Sequence, residues 1–443
     1  MYIVRQGVRK IYAKKFQLPH KKSAADIRTK KIDIQSNIGN IIIKMSQCIG
    51  ASCIPVVSVG DKVRTGQLIA DSDAFVCAPI YSSVTGTVVE EREILGINGN
   101  LDKALVIKPE QNQVMCESIS PPKIETRADL IKAVRKSGLV GLGGAGFPTH
   151  VKLAYDTEKY NVDMLVINGA ECEPYITTDY REFMECSADI IKGMKLIMKL
   201  CGIPRAVIGI EKNRPQAIKL MRGLLESEPN IKVKPVGTNF PQGAEKVLIY
   251  NTTRRIVREG ELPMAAGCLI LNVSSAAFIA RYAETGIPLI TRRITIDGNI
   301  VNKPANLLVP IGMTLGGLMK KADLRLAPDR IIFGGPMMGE SVYEPDTPIV
   351  KTTGAVLFFK DLPVYKATSC IRCGKCLRAC SLNLVPTEFE KAFEMRDLKR
   401  LKQLRVSMCM ECGACSYICP AKRNLTERNK LAKELLKNKE KNA

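Results

Sequence analysis

The sequence predicts a multidomain chain of mixed α/β and β architecture, in which a small all-β unit and an alternating α/β domain precede an α-helical, cysteine-rich module. Three observations predict it. Short β-branched runs separated by glycine turns fill residues 38–120. From residue 126 onward, strand-length apolar runs alternate with helix-period segments. Near the C-terminus the spacing C-x2-C-x2-C-x3-C occurs twice, as Cys370, Cys373, Cys376, Cys380 and as Cys409, Cys412, Cys415, Cys419. At 443 residues the chain exceeds what one core supports, so several domains are expected.

Composition narrows the class. Sixteen cysteines in a small secreted protein would indicate disulfides, but half of these sit in the two runs and the rest are scattered singly, which fits a reducing cytoplasm. No apolar run reaches the ~18 residues needed to cross a bilayer, and the opening MYIVRQGVRKIYAKKF lacks a signal-peptide core. A soluble or peripheral chain with no transmembrane segment of its own is expected. The net charge of +22, with no nucleic-acid motif, points to an anionic membrane surface or acidic protein partners and not to nucleic acid.

Residues 1–37 form a basic, irregular segment whose His20 reads as a turn or interface residue. In residues 38–120 the strand signals are Ile41 to Ile43, Val56 to Val59, Val84 to Val89 and Leu105 to Ile107. The wording Gly60-Asp61-Lys62-Val63-Arg64-Thr65-Gly66-Gln67-Leu68, followed by Val84-Thr85-Gly86-Thr87-Val88, resembles biotinyl and lipoyl carrier domains. Those domains present a modified lysine at a hairpin tip. Here the tip is Asp71-Ser72-Asp73-Ala74-Phe75 and holds no lysine, so a barrel-sandwich scaffold without a swinging arm is expected.

After Pro121-Pro122 a helix is predicted over Arg127 to Lys136, running into Gly138-Leu139-Val140-Gly141-Leu142-Gly143-Gly144-Ala145-Gly146-Phe147-Pro148. Gly141, Gly143 and Gly146 satisfy G-x-G-x-x-G, but that fingerprint requires a strand just before it, and a helix precedes it here. The physics of the glycines remains. Bare backbone N–H groups approach a phosphate closely, a helix from about Pro148 adds its positive end, and Lys152 is placed to pair with the same anion. The alternative is a flexible loop without a ligand. Val162 to Ile167 reads as a buried strand leading into Asn168-Gly169-Ala170-Glu171-Cys172-Glu173-Pro174-Tyr175, beyond a strand's C-terminal end, where open α/β sheets bind ligands. Glu171 and Glu173, taken singly, are equally readable as solvated loop acids. Further strands over 206–210 and 231–236, with helices about 180–200 and 215–225, complete a Rossmann-like alternation.

The doubled cysteine spacing wraps cubane [4Fe–4S] clusters. In two-cluster ferredoxins the fourth cysteine of each run serves the other cluster. Cys370, Cys373, Cys376 and Cys419 are therefore assigned to one cluster, and Cys409, Cys412, Cys415 and Cys380 to the other. Zinc sites favour separated C-x2-C pairs and often a histidine, and no histidine lies near these runs. Thr387 and Glu390 read as a capping box opening a helix with Phe389, Phe393, Leu401 and Leu404 on one face. The basic tail, 425–443, is either a solvated helix or a segment that docks on a membrane surface or acidic subunit.

The glycine run of residues 141–149 followed by Asn168 to Tyr175 resembles the NADH- and FMN-binding subunit of respiratory complex I. It resembles more closely still the C subunits of Rnf-type ion-translocating oxidoreductases. The resemblance implies an NADH/FMN-binding α/β domain at 126–262, a β-grasp (SLBB-like) domain at 264–325, a linker at 326–362 and a ferredoxin-type domain with two [4Fe–4S] clusters at 363–424. It implies cofactor binding by Gly141, Gly143, Gly144, Ala145, Gly146, Phe147, Lys152, Asn168, Glu171, Glu173 and Tyr175. It further implies FMN and NAD(H), integral-membrane and ferredoxin-like subunits as partners, and a peripheral place on the cytoplasmic face of the cell membrane. Hydride exchange with NAD(H) needs no catalytic acid or base from the protein. Leu142 departs from the complex I pattern, which has arginine there. The other readings are a soluble cobalamin reductase of related construction and a non-catalytic electron-transfer scaffold.

Overall fold

The computed structural model describes residues 16–34, 38–95 and 101–441; the first fifteen residues of the basic segment and the last two of the tail lie outside them. The α/β domain is built on a four-stranded, all-parallel sheet in the order Ile231–Val236, Arg205–Glu211, Met164–Gly169, Cys268–Asn272. Parallel strands buried on both faces read as unbroken apolar runs, because each alternate side chain meets a different layer. Leu165, Ile167, Leu269 and Leu271 face the helices Ser187–Cys201 and Val273–Thr285, whereas Val166 and Ile270 face the helix Glu245–Thr253. The two helices on the first face touch closely: a Cβ on Gly193 would stand 1.9 Å from the Ala276 carbonyl oxygen.

Two expected boundaries are corrected. The strand Cys268–Asn272 and helix Val273–Thr285 complete this sheet and its cover, so the α/β unit extends past residue 262. Residues 326–362 are not a linker. They supply Arg330–Phe333, Glu340–Val342 and Ala355–Phe359 to a six-stranded mixed sheet, ordered Lys30–Lys31, Ala305–Pro310, Thr291–Asp297, Ala355–Phe359, Arg330–Phe333, Glu340–Val342. Ala355–Phe359 is buried along its whole length, as an inner strand requires, and the turn residues Gly334, Gly335 and Pro336 disguise the pattern. The basic segment contributes the edge strand Lys30–Lys31.

Residues 38–109 form two small antiparallel sheets closed over Ile43, Val63, Ile69, Ile80, Val88 and Leu105. The lysine-free tip is docked. Arg135 donates from both terminal nitrogens to Asp71, at 3.1 and 2.9 Å, and the His150 ring packs edge-on against Phe75.

In the C-terminal module, five helices (Lys375–Ala379, Pro386–Glu394, Leu398–Gln403, Ala414–Tyr417, Leu425–Lys441) surround the cysteines. The expected capping box is absent: Val385 occupies the N-cap with no side-chain bond, and Glu390 accepts from the Arg423 Nε at 3.0 Å instead. The basic tail packs against its own module along one face. It is one helix from Leu425 to Lys441, and Leu425, Asn429, Ala432 and Leu436 turn inward and are buried, since spacings of three and four residues put them on one face. Among the described residues no helix is long and apolar enough to cross a membrane.

Candidate cofactor sites

The sheet order reverses between Met164–Gly169 and Cys268–Asn272, which opens a crevice at their carboxyl ends, where Asn168 and Asn272 are register partners. The glycine loop reaches this crevice from outside the sheet. It closes on itself, Gly141 N–H donating to the Phe147 carbonyl at 2.8 Å and Gly146 N–H to the Gly141 carbonyl at 3.3 Å. Gly143, Gly144 and Ala145 form its exposed tip. A Cβ on Gly143 would lie 3.4 Å from that of Asn272, while one on Gly144, whose φ is +108°, would meet nothing within 4 Å.

The helix expected after the loop is only Thr149–Leu153. The helix whose N-terminus stands beside the tip is Val273–Thr285, capped by Asn272, whose Oδ1 accepts the Ser274 N–H at 2.9 Å. The Lys152 ammonium pairs with Glu245. The loop is held at Leu142, whose N–H donates to the Ser275 hydroxyl at 3.1 Å and whose carbonyl accepts from the buried Arg292 at 2.5 Å. A cation therefore does serve position 142, sent from the neighbouring sheet. Burial brings Arg292 down to about 10, against the opposing pull of Asp179 and Glu182.

On the crevice's other side, Asn168 ties its strand to the next loop by donating to the Gly243 carbonyl at 2.8 Å. Glu171 accepts from the Asp179 N–H at 2.8 Å at the start of helix Thr178–Glu185, and its Oε2, 3.8 Å from Lys22 Nζ, has no hydrogen bond. Tyr175, at φ +71°, is used structurally: it packs edge-on against Phe359. Lys22 clamps the segment from above, donating to the carbonyls of Glu171, Glu173 and Ile176. Phe147 is half-buried at the loop's base.

Glu173 accepts from the Met337 N–H at 3.1 Å with Oε2, and its Oε1 is buried without a partner. Burial pushes its carboxyl up to about 7, opposed by the Met337 and Met338 N–H groups and Lys22. Folded protein thus keeps a proton that the unfolded chain releases between pH 4.5 and about 7, and stability falls as pH rises through that window. Glu173→Gln removes this titration. Its melting temperature is expected to exceed the parent's at pH 8 and to match it near pH 4, below both pKa values; an equal offset at both would refute the assignment.

Each cysteine run folds the same way, with Arg372 and Gly374 in the first matched by Glu411 and Gly413 in the second, all at positive φ. Alternating backbone hands of this kind turn successive N–H groups toward one concavity. Cys380, from the first run, lines a single cavity with Cys409, Cys412 and Cys415 of the second. Burial pushes the Cys412 thiol up to about 12 and that of Cys415 to about 11, with the neighbouring cysteines adding to the rise. The Cys376 thiol is raised by burial and by Cys419 and Cys370. Both sets therefore draw on both runs. Buried thiols that raise one another suit a cationic centre that deprotonates them. Among the described residues no three His, Cys, Asp or Glu side chains stand close enough to grip a single ion, whereas the ligands of a cubane stand at its corners.

Sequence reasoning missed Lys22, Asp179, Asn272, Ser275 and Arg292. Asn272 was findable, since Asn before Val-Ser-Ser after an apolar run is an N-cap signal. The others are met only through long-range packing.

Three family models match: the Nuo51 FMN-binding domain over residues 134–281, the RnfC barrel sandwich hybrid domain over 13–112, and the 4Fe-4S dicluster domain over 362–420. Three similar proteins are the C subunits of ion-translocating complexes. That of the proton-translocating ferredoxin:NAD(+) oxidoreductase complex of Clostridium ljungdahlii is 41% identical over 366 residues, covering 81% of this chain and 79% of the relative. Its counterpart in the Na(+)-translocating ferredoxin:NAD(+) oxidoreductase complex of Acetobacterium woodii is 37% identical, covering 78% and 79%. The one from the ion-translocating oxidoreductase complex of Rhodobacter capsulatus is 32% identical, covering 81% and 70%.

Proposed function

The chain belongs to the family of C subunits of ion-translocating ferredoxin:NAD(+) oxidoreductase complexes, and from that premise we propose how its residues serve the reaction. It is the NADH- and FMN-binding electron-transfer subunit of such a complex, exchanging hydride with NAD(H) and passing single electrons through two [4Fe–4S] clusters. The observation that carries the reading is the crevice at the reversal of the parallel sheet, with the open glycine tip on one side and the segment from Asn168 to Tyr175 on the other. When bound, a flavin accepts the two electrons of a hydride together and gives them up singly, which matches a two-electron nicotinamide to a one-electron cluster.

The protein's own part is binding and placement. Gly143, Gly144 and Ala145 offer backbone N–H groups to a phosphate, and the Asn272-capped helix adds its positive end. Arg292 and Ser275 hold the loop rigid at Leu142. Glu171 Oε2 and Glu173 Oε1 are buried without hydrogen-bond partners and are read as acceptors for the donors of a bound nucleotide. Cys370, Cys373, Cys376 and Cys419 are the ligand set of one cluster, and Cys380, Cys409, Cys412 and Cys415 that of the other. Cys412 and Cys172 pack against one apolar cluster with Met337, which places the second set on the side of the Asn168 to Tyr175 segment, while the exposed Cys370 of the first is read as the exit toward a partner.

The six-stranded sheet unit is read as the β-grasp, SLBB-like part. Its role here is structural, since it supplies Arg292 to the loop and Met337 to Glu173. The protein sits peripherally on the cytoplasmic face of the membrane, beside integral-membrane and ferredoxin-like subunits. The +22 charge suits an anionic surface or acidic partners.

Anaerobic purification with flavin and iron analysis, then NADH titration followed optically and by EPR, tests the reading. Bleaching of a flavin band and reduction of cluster signals are expected. Clusters without any NADH-bleachable flavin would leave the scaffold reading in its place.

A further inference from the structure

The helix Leu425–Lys441 presents Thr426, Asn429 and Lys433 to the cysteines of the buried set, at spacings of three and four residues along one face. Asn429 Nδ2 lies 3.6 Å from the Cys409 sulfur and 3.9 Å from that of Cys415, and the Thr426 hydroxyl is 3.5 Å from Cys415. Asn429 is 1% exposed, and its Oδ1 has no partner. A buried carbonyl left unpaired is destabilising, so this amide is a poor choice for stability alone. Its two N–H groups are aimed at two sulfurs of one ligand set. The nearby Lys433 ammonium is already engaged by Glu411 and by the Cys409 carbonyl, so its charge is compensated.

We propose that Asn429 is a positioning residue that sets the reduction potential of the cluster held by Cys380, Cys409, Cys412 and Cys415. The inference rests on that ligand reading. One electron enters, no bond is made or broken, and the added negative charge spreads onto the sulfurs. N–H donors to those sulfurs stabilise the reduced form more than the oxidised one and so raise the potential. The tail helix is then the tuning wall of the buried cluster.

The test is an EPR-monitored redox titration of the full-length holoprotein. Asn429→Leu keeps the branched shape of the side chain and removes the donors. At the parent's midpoint potential, its ratio of reduced to oxidised buried cluster is expected to fall at least threefold, about 30 mV for one electron, with the other cluster unmoved. Asn429→Asp, which adds a negative charge, is expected to fall further; Asn429→Ser, whose hydroxyl is too short to reach both sulfurs, gives the same reading if Leu lowers iron content. In the same titration Cys380→Ser must erase the signal that Asn429→Leu shifts. If it erases the other one, the ligand reading fails and the inference falls with it. If it erases the right one while the Asn429 variants keep their iron and the parent's potentials, the inference alone is overturned.

Discussion

Cys380→Ser and Cys409→Ser are expected to erase the same EPR signal although they lie in different cysteine runs, and Cys373→Ser and Cys419→Ser the other. Each variant should lose roughly half the iron, because a cubane missing one thiolate is not retained while its neighbour keeps all four. The expectation follows from the two groupings in the fold: Cys380 with Cys409, Cys412 and Cys415 around one cavity, and Cys376 beside Cys370 and Cys419. Function separates the pairs further. With Cys373→Ser, NADH should still bleach the flavin, while electron delivery to an external acceptor falls by orders of magnitude. Pairing of signals within each run, or an unimpaired transfer rate, would refute the crossed arrangement.

Gly144→Arg is expected to yield protein without flavin and with both clusters in place. Gly144 has φ +108° and open space around the place of a Cβ, so a long side chain starts at the exposed tip without a clash at its first carbon. Backbone strain at such a position costs about 1–3 kcal/mol, which a domain of ordinary stability of about 5–15 kcal/mol absorbs. The fold and the distant cysteines survive while the phosphate's place is taken. Flavin content and dithionite-reduced EPR spectra check this together. Stoichiometric FMN in the purified variant would show that the glycine tip does not hold it.

Some elements were legible because their chemistry is local. The parallel strands announce themselves as unbroken apolar runs, and the lysine-free tip at Asp71 to Phe75 excludes a swinging arm without any coordinates. The cysteine spacing carries its own geometry, since a loop of that length with glycine after the second thiol wraps one volume. Other elements were hidden for equally physical reasons. Ala355–Phe359 looked like part of a linker because its strand partners lie far away in sequence. The tail looked solvated because its lysines outnumber its inward residues, yet four buried positions on one stripe suffice to dock it.

By itself the sequence determined the cofactor chemistry: eight thiols at doubled spacing and a glycine run that lets backbone approach a phosphate, both properties of short stretches of chain. Only the tertiary structure decided which groups serve those stretches. Arg292 reaches Leu142 from another sheet, Lys22 clamps the acidic segment from the chain's beginning, and Asn429 faces the buried thiols from its end. The first two contacts join residues about 150 positions apart and the third joins separate elements of one module, so no local pattern encodes them.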